Sequence, residues 1–412
     1  MIMKAFLTAD EATKELGISR ATLYAYVSRG LIRSEEADHG KRTRRYHAED
    51  VDRLRRRQEQ RRDPDQAAAE TLNFGVPVID SAITRIADGR CFYRGYDVVD
   101  LAAGRSVEEV ASLIWTGSFD RWDSLAGRVQ FSDKFWAVRG LLEHLPPFDL
   151  IRVLLPLAAI RDRAAVDLRP DAVASTGRRI LGSLMMTVTG RLPDQGIAST
   201  LAAHFAPDLP YAERLLAAAL VLCADHELNA SSFTGRCVAS TMANPYAVVE
   251  AGLAALSGYK HGGMSERVDK LLGECEGKDL GTVTSILHDR IRRGEGLPGF
   301  GHALYPDGDP RGRYLVDEAR AHGALDSTAG IVAKAAFDLV GERPNVDYGL
   351  VCVTRALRMP SGSPILIFAL GRTIGWIGHA IEEYTKDRLI RPRARYTGRL
   401  SVAGEGIGDE ND

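Results

Sequence analysis

The sequence predicts a mainly α protein in which a small basic module with a helix-turn-helix pattern precedes a much larger helical body. Three observations support this. Residues 7–30 contain two capped helical stretches separated by a glycine, apolar residues recur at helical spacing through most of the remainder, and extended β-rich runs are scarce. With 412 residues, the chain exceeds what one core usually holds, so two or three domains are expected. The net charge of −2 conceals an asymmetry, because residues 1–62 hold 15 Lys/Arg against 10 Asp/Glu and the remainder holds 38 against 45. The first part is therefore about +5 and the remainder about −7.

The first helix starts after Thr8, which can cap it while Glu11 returns the bond as a capping box, and it runs to about Leu16. Gly17 breaks it. Ser19 can cap the second helix, Arg20 to Arg29, before Gly30 stops it. Such a pair is a helix-turn-helix, whose second helix would present Arg20, Thr22 and Tyr24 or Tyr26 to DNA. Asp38 to Tyr46 reads as a basic hairpin wing, with Lys41, Arg42, Arg44 and Arg45 placed for phosphates, and Ala48 to Leu54 begins another helix. The stretch resembles the winged helix-turn-helix of the MerR and excisionase families. The resemblance implies double-stranded DNA as partner; the plainer alternative is a solvated basic face used for protein contacts. One copy reads a half-site weakly, so DNA binding would require a dimer supplied by the rest of the chain.

Arg55-Arg-Arg57 and Arg61-Arg62 pass into a polar, proline-containing stretch, which places a winged helix-turn-helix domain at 1–62, a linker at 63–73 and the helical body at 74–412. A few short strands are expected between Val76 and Arg94. A Ser106 cap, early acids and an apolar face predict a helix through Trp115, and Pro210 to Ala224 is similarly helical. No apolar run approaches the roughly 20 residues that span a bilayer, so stretches such as Leu215 to Cys223 read as core helices. The five cysteines, Cys91, Cys223, Cys237, Cys275 and Cys352, show no CxxC spacing, and the apolar start is too short and too broken for a signal peptide. A cytoplasmic location is expected.

Chemistry is concentrated in three segments: Gly258-Tyr-Lys-His-Gly-Gly263, Gly299-Phe-Gly-His-Ala-Leu-Tyr305 with Asp309-Pro-Arg311, and Asn345-Val-Asp347. Each histidine sits in a glycine-framed turn where backbone can crowd a ligand, and the aspartate follows a Pro-Asn turn. Carbon-carbon bond chemistry that begins by removing a proton from carbon needs a carboxylate base and a donor for the developing enolate oxygen. Asp347 is the candidate base. His261, at the start of a helix through Leu272, would feel the positive end of the helix dipole, stay neutral and donate to the enol oxygen. Other readings fail on spacing. His226-Glu227 has Ala230 at the fourth position after the histidine, not the second histidine of a zinc helix, and neither GxGxxG in a strand-turn-helix unit nor a Walker A sequence occurs. His144, His204, His288, His322 and His379 lack matching partners and read as structural or exposed.

In order and local sequence, these segments resemble the citrate synthase family. So do Phe92-Tyr-Arg-Gly-Tyr96 with Asp100-Leu-Ala, the stretch Ala224 to Arg236, Gly371 to His379, and Arg391-Pro-Arg-Ala-Arg-Tyr-Thr-Gly398, over most of residues 74–399. The resemblance implies the citrate synthase fold, with a large helical domain and a smaller closing domain at about 264–358. It implies a homo-oligomeric Si-type enzyme that condenses acetyl-CoA with oxaloacetate and water to citrate and coenzyme A. No metal or redox cofactor and no membrane are implied. His302 would polarise the ketone of oxaloacetate, with His226, Arg311, Arg372 and Arg391 as substrate contacts; guanidinium forks match carboxylates. Arg391 would reach the neighbouring subunit's site, making a dimer or higher oligomer obligatory.

The sequence departs from the family pattern at three places. Met264-Ser-Glu266 replaces Ala-Asn-Glu, which bears on closure. Ala303-Leu-Tyr-Pro306 replaces Arg-Val-Tyr-Lys, removing two cations and leaving groups such as Arg343 for coenzyme A phosphates. Tyr348-Gly-Leu-Val351 replaces Phe-Tyr-Ser-Gly and is expected to leave space beside the base, where a propionyl group would fit. Two alternatives follow: a 2-methylcitrate synthase using propionyl-CoA, and a DNA-bound regulator that senses oxaloacetate or acyl-CoA with weak turnover.

Overall fold

Thr8 begins the first helix as its sequence requires: its hydroxyl accepts the Glu11 N–H at 3.3 Å while the Glu11 carboxylate accepts the Thr8 N–H at 2.8 Å. The computed structural model describes residues 6–36, 44–48, 50–51, 54–55, 79–124 and 131–398, which fall into two compact units, residues 1–80 and 81–412. In the first unit, α1 (Ala9–Leu16) ends at Gly17, whose φ of 62° is left-handed, and α2 (Arg20–Ser28) starts from the Ser19 cap. Strands β1 (Phe6–Leu7), β2 (Ser34–Glu36) and β3 (Arg44–His47) form an antiparallel sheet in the order β1-β3-β2, with Ser34 opposite Tyr46. Of the wing predicted at Asp38 to Tyr46, Arg44 to Tyr46 lie in β3, paired with β2, and Lys41 and Arg42 lie outside the described residues. Ala12, Leu16, Leu23, Ile32, Tyr46 and Val51 close a small core, beneath which buried Asp50 accepts the Arg33 backbone N–H at 2.8 Å.

The second unit opens with an antiparallel sheet of β4 (Thr84–Ala87), β5 (Arg90–Tyr93) and β6 (Tyr96–Asp97), the short strands expected there. Helices follow: α3 (Val98–Gly104), α4 (Val107–Thr116), α5 (Asp133–Leu141), α6 (Pro147–Ala159), α7 (Pro170–Thr189), α8 (Ile197–Phe205) and α9 (Ala212–Cys223). Then come α10 (Ala230–Ala239), α11 (Pro245–Leu256), α12 (Gly263–Cys275), α13 (Leu280–Arg292), α14 (Pro310–Ala321), α15 (Ser327–Val340), α16 (Val346–Ala356) and α17 (Ser363–Tyr384). Ser106 caps α4 as expected, and Glu109 returns the bond to make a capping box.

The centre of the unit is α17, which packs against α7, α9, α10 and α11. At 22 residues it is long and apolar enough to cross a membrane by composition, against the sequence expectation that no run approaches that length. It is a core helix all the same, with 94% of its apolar window buried, Arg372 at its middle and Glu382 and Glu383 in its last turn. Gly371 makes the approach to α9 possible: a Cβ there would stand 2.6 Å from the Leu220 carbonyl oxygen. A second core lies between α12, α13, α15 and α16, built around Val268, Leu272, Leu287, Val332, Tyr348 and Val351. Four of the five cysteines are buried, Cys237 is half-buried, and all are free thiols. The functional segments sit where these helices begin and end.

Candidate active site

A short backbone clip holds two of the three chemical segments together. Phe300 bridges Pro344 antiparallel, the Asn345 N–H donates to the Gly299 carbonyl at 2.8 Å, and the Gly301 N–H donates to the Arg343 carbonyl at 3.0 Å. Gly299 is required there, since its φ is 84° and a Cβ would stand 2.6 Å from Val268. His302 follows the clip on one side, and α16, whose second residue is Asp347, starts on the other. The His302 Nδ1 accepts the Leu304 N–H at 3.1 Å, so in the neutral ring Nε2 carries the proton. Burial first, and the Arg311 charge second, push this imidazole below its ordinary pKa.

Arg311 is buried, and Asp309 grips one edge of its guanidinium, Nε to Oδ1 at 3.0 Å and Nη2 to Oδ2 at 2.8 Å. The same carboxylate accepts the Val346 N–H at 3.1 Å, tying the start of α16 to the Arg311 pair. Burial opposes both charges, but each stabilises the other, so Asp309 lies below and Arg311 well above its ordinary value. Asp309 leaves the Nη1 edge of Arg311 without a bond from its carboxylate.

His226 enters from the turn between α9 and α10, where Glu227 adopts a left-handed φ of 51°. Its Nε2 lies 2.8 Å from the Tyr305 hydroxyl, and its ring stands edge-on to His302 with centroids 5.2 Å apart. Burial and then the charges of Arg311 and Arg372 drive its pKa well below the usual imidazole value. Arg372, projecting from α17, donates Nε to the Cys223 carbonyl at 2.8 Å and lies over the Phe368 ring at 4.7 Å. Its Nη1 is buried without a hydrogen-bond partner.

His261 precedes α12, as its helix-start reading requires, and its ring meets Phe368 edge-on at 5.7 Å. Burial, followed by the Arg372 charge, lowers its pKa to about 4. The Ser231 hydroxyl lies 2.8 Å from His261 Nε2 and 2.8 Å from Asn229 Oδ1. Ser231 donates its single proton to Asn229 Oδ1, which leaves the proton of neutral His261 on Nε2; turning that hydroxyl toward Nε2 moves the ring proton to Nδ1. Asp347, partly buried, is the counterpart acid: burial raises its pKa to about 7, with Asp309 adding to the rise and Arg311 and Arg372 opposing it. The fields of Arg311 and Arg372 thus converge on His226 and Asp347 together.

His226, His261, His302, Arg311, Arg372 and Asp347 are joined by these contacts and fields. Arg391 is not; it lies exposed in the segment after α17. A cavity of about 690 Å³ opens beside His302, lined by Phe300, Tyr305, Asp307, Glu342 and Arg343 among others. Its cation, Arg343, lies over Phe337 at 4.6 Å. The room expected beside the base is not found at Gly349, where a Cβ would stand 2.9 Å from Leu315, and Tyr348 turns into the second core to donate to the Ala329 carbonyl at 2.6 Å. Sequence reasoning assigned no role to Ser231, Asn345 or Asp309, although the motifs quoted above contain all three.

In the first unit, Tyr24 is 54% exposed and Thr22 shares a 2.9 Å hydrogen bond with Ser19. Arg20 is exposed but engaged, its Nη2 lying 2.5 Å from Asp10. Arg45 is held between Glu35 at 3.3 Å and the Phe6 ring at 4.3 Å, whereas Arg44 is exposed.

A helical scaffold that gathers neutral imidazoles, guanidiniums and a carboxyl titrating near neutrality is that of an acid-base enzyme. The family model described as citrate synthase, C-terminal domain, matches residues 72–393, and one described as a helix-turn-helix domain matches residues 6–59. The chain belongs to the citrate synthase family and is an enzyme of it. It is 33% identical to the citrate synthase of Haloferax volcanii, covering 80% of this chain and 95% of that one. It is 29% identical to the 2-methylcitrate synthase of Shewanella oneidensis, covering 81% and 93%. Among solved structures, the citrate synthase of Thermoplasma acidophilum, in ternary complex with carboxymethyl coenzyme A and oxaloacetate, matches with a TM-score of 0.66 at 27% identity, covering 81% and 97%. That of Pyrobaculum aerophilum matches with 0.68 at 24%, covering 81% and 93%.

Proposed function

We propose that the enzyme condenses acetyl-CoA with oxaloacetate and water to give citrate and coenzyme A. The observation that carries this is the meeting of a carboxyl raised to about 7 with two neutral imidazoles and two guanidiniums, one with a buried, unpartnered Nη1. Arg372 and the free edge of Arg311 bind the two carboxylates of oxaloacetate, with His226 alongside. His302 donates Nε2–H to the ketone oxygen. Ionised Asp347 takes a proton from the acetyl methyl, and the C–H electron pair moves into the enolate, whose oxygen accepts a hydrogen bond from His261 Nδ1–H once the Ser231 hydroxyl has turned to donate to Nε2. The enol carbon then attacks the polarised ketone, forming citryl-CoA, whose thioester water cleaves to citrate and the free thiol. No step requires a metal or redox group.

Arg391 completes the site of a second copy, so the working form is a homo-oligomer in the cytoplasm. Propionyl-CoA is the alternative thioester. The winged helix-turn-helix, with exposed Arg44 and Tyr24, supports double-stranded DNA as a further partner of that oligomer. Thiol release by purified protein with oxaloacetate, comparing acetyl-CoA and propionyl-CoA against Asp347→Asn, tests the reading. Rapid release with acetyl-CoA supports citrate synthesis, a higher kcat/KM for propionyl-CoA replaces it with methylcitrate synthesis, and no release above the variant leaves the DNA-bound sensor.

A further inference from the structure

We propose that His379 and Arg236, which touch no substrate, are positioning residues that hold the oxaloacetate contact His226 in place through Asp225. The proposal rests on oxaloacetate binding at His226. Asp225, His226 and His379 are buried, and so are Arg236 and Glu383. His379 Nδ1 lies 3.1 Å from Arg236 Nη1, and a guanidinium can only donate, so Nδ1 accepts and Nε2 carries the ring proton. That Nε2–H faces Asp225 Oδ1 at 3.2 Å, and the second carboxylate oxygen of Asp225 accepts the Thr84 hydroxyl at 2.5 Å. Arg236 is in turn fixed by Glu383, Nε to Oε2 at 2.8 Å, and by Glu382, Nη1 to Oε2 at 3.0 Å.

A charged chain this deep is a poor way to gain stability, since apolar groups of the same volume commonly serve as well; where it is kept, specifying one geometry is the better account. Here the geometry specified is the turn that carries His226. The Tyr93 hydroxyl accepts the Asp225 N–H at 3.1 Å and donates to the Asp225 carbonyl at 2.9 Å. Gly375 presses on the turn from α17, where a Cβ would stand 2.4 Å from the Ala224 carbonyl oxygen and 2.5 Å from Asp225 Oδ1. The next residue but one, Glu227, is held at positive φ, a conformation that persists only when its surroundings impose it. With the Asp225 backbone and carboxylate both anchored, the His226 ring has one place to go, against Tyr305 beside His302.

The experiment measures oxaloacetate affinity by calorimetry, and kcat and oxaloacetate KM by thiol release, in the full chain and in His379→Leu, His379→Gln and Thr84→Val. Leucine removes the donor to Asp225, and oxaloacetate Kd and KM are expected to rise about 10- to 100-fold, the span for losing a hydrogen bond to a charged group, with saturated kcat little changed. Glutamine keeps an N–H near the Nε2 position and should recover most of the affinity. Thr84→Val, at the half-buried end of the chain, should raise KM several-fold and keeps the proposal testable if His379→Leu does not fold. Folded variants with unchanged oxaloacetate affinity, or with a fall in kcat alone, overturn the positioning role. A wild type that binds no oxaloacetate overturns the substrate reading itself and the proposal with it.

Discussion

Asn345 Oδ1 accepts the backbone N–H of Asp347 at 3.0 Å while the Asn345 amide donates to the Gly301 carbonyl at 3.2 Å. One side chain thus fixes both the helix of the proposed base and the loop of His302. Replacing it with alanine should destabilise the protein by about 1–2 kcal/mol, the usual effect of losing an N-cap, and lower kcat more than it changes oxaloacetate KM. Asn345→Asp keeps the cap and should restore most of the stability in denaturant melts. Its extra negative charge should shift the acid limb of the rate profile to higher pH.

The Asp347 carboxyl, raised to about 7, must be ionised to accept a proton. kcat/KM should therefore fall with unit slope as pH drops below about 7 and be flat above it, until another group intervenes. The linkage has the opposite sense. The folded state holds this proton more tightly than the unfolded chain, whose carboxyl titrates at 3.8, so the carboxyl's contribution to stability is present below 3.8 and is lost as pH rises to about 7. Asp347→Asn should lose turnover by about 10²- to 10⁴-fold, as expected for a missing general base, yet melt at a higher temperature than wild type at pH 8. Wild-type turnover in this variant would remove Asp347 as the base.

His261, lowered to about 4, should show no imidazole titration between pH 5 and 8 by NMR. Its neutral state favours the folded protein above the ordinary value of 6.5, and that contribution is lost as pH falls from 6.5 to about 4. Ser231→Ala removes the hydroxyl that sets the tautomer, so the Nδ1 and Nε2 nitrogen shifts should move and kcat should fall with oxaloacetate binding retained.

Two neighbouring arginines of β3 should behave differently. Arg44→Ala, at an exposed position, should weaken binding to any duplex and reduce the salt slope by about 1. Arg45→Ala breaks the contacts with Glu35 and Phe6 and should chiefly lower the melting point of the first unit. Filter binding at several salt concentrations separates them, and a wild type that binds no duplex at low salt ends the DNA reading.

The elements most legible in the sequence were those with local signals. Thr8 with Glu11, Ser106 with Glu109 and the stops at Gly17 and Gly30 all fall where caps and left-handed glycines place them. His261, His302 and Asp347 were legible because each sits beside a turn with its own residue signature. Ser231 and Asp309 were not, since their roles depend on partners that lie across the fold or within a crowded charge pair. His379 looked partnerless because Asp225 and Arg236 are 154 and 143 residues away in sequence. Length and composition also understated α17, whose arginine, histidine and glutamates interrupt its apolar run.

The buried cysteines bear on how the enzyme can be assayed. Burial raises the Cys91, Cys223 and Cys352 thiols to about 12, and raises Cys237 and Cys275 as well. A disulfide reagent that reacts with thiolates at pH 8 should therefore find the folded chain nearly silent and respond to the thiol that turnover liberates. Without substrate, the same reagent becomes a clock for opening of the helical body, each newly reactive sulfur marking the moment its helix parts from the core.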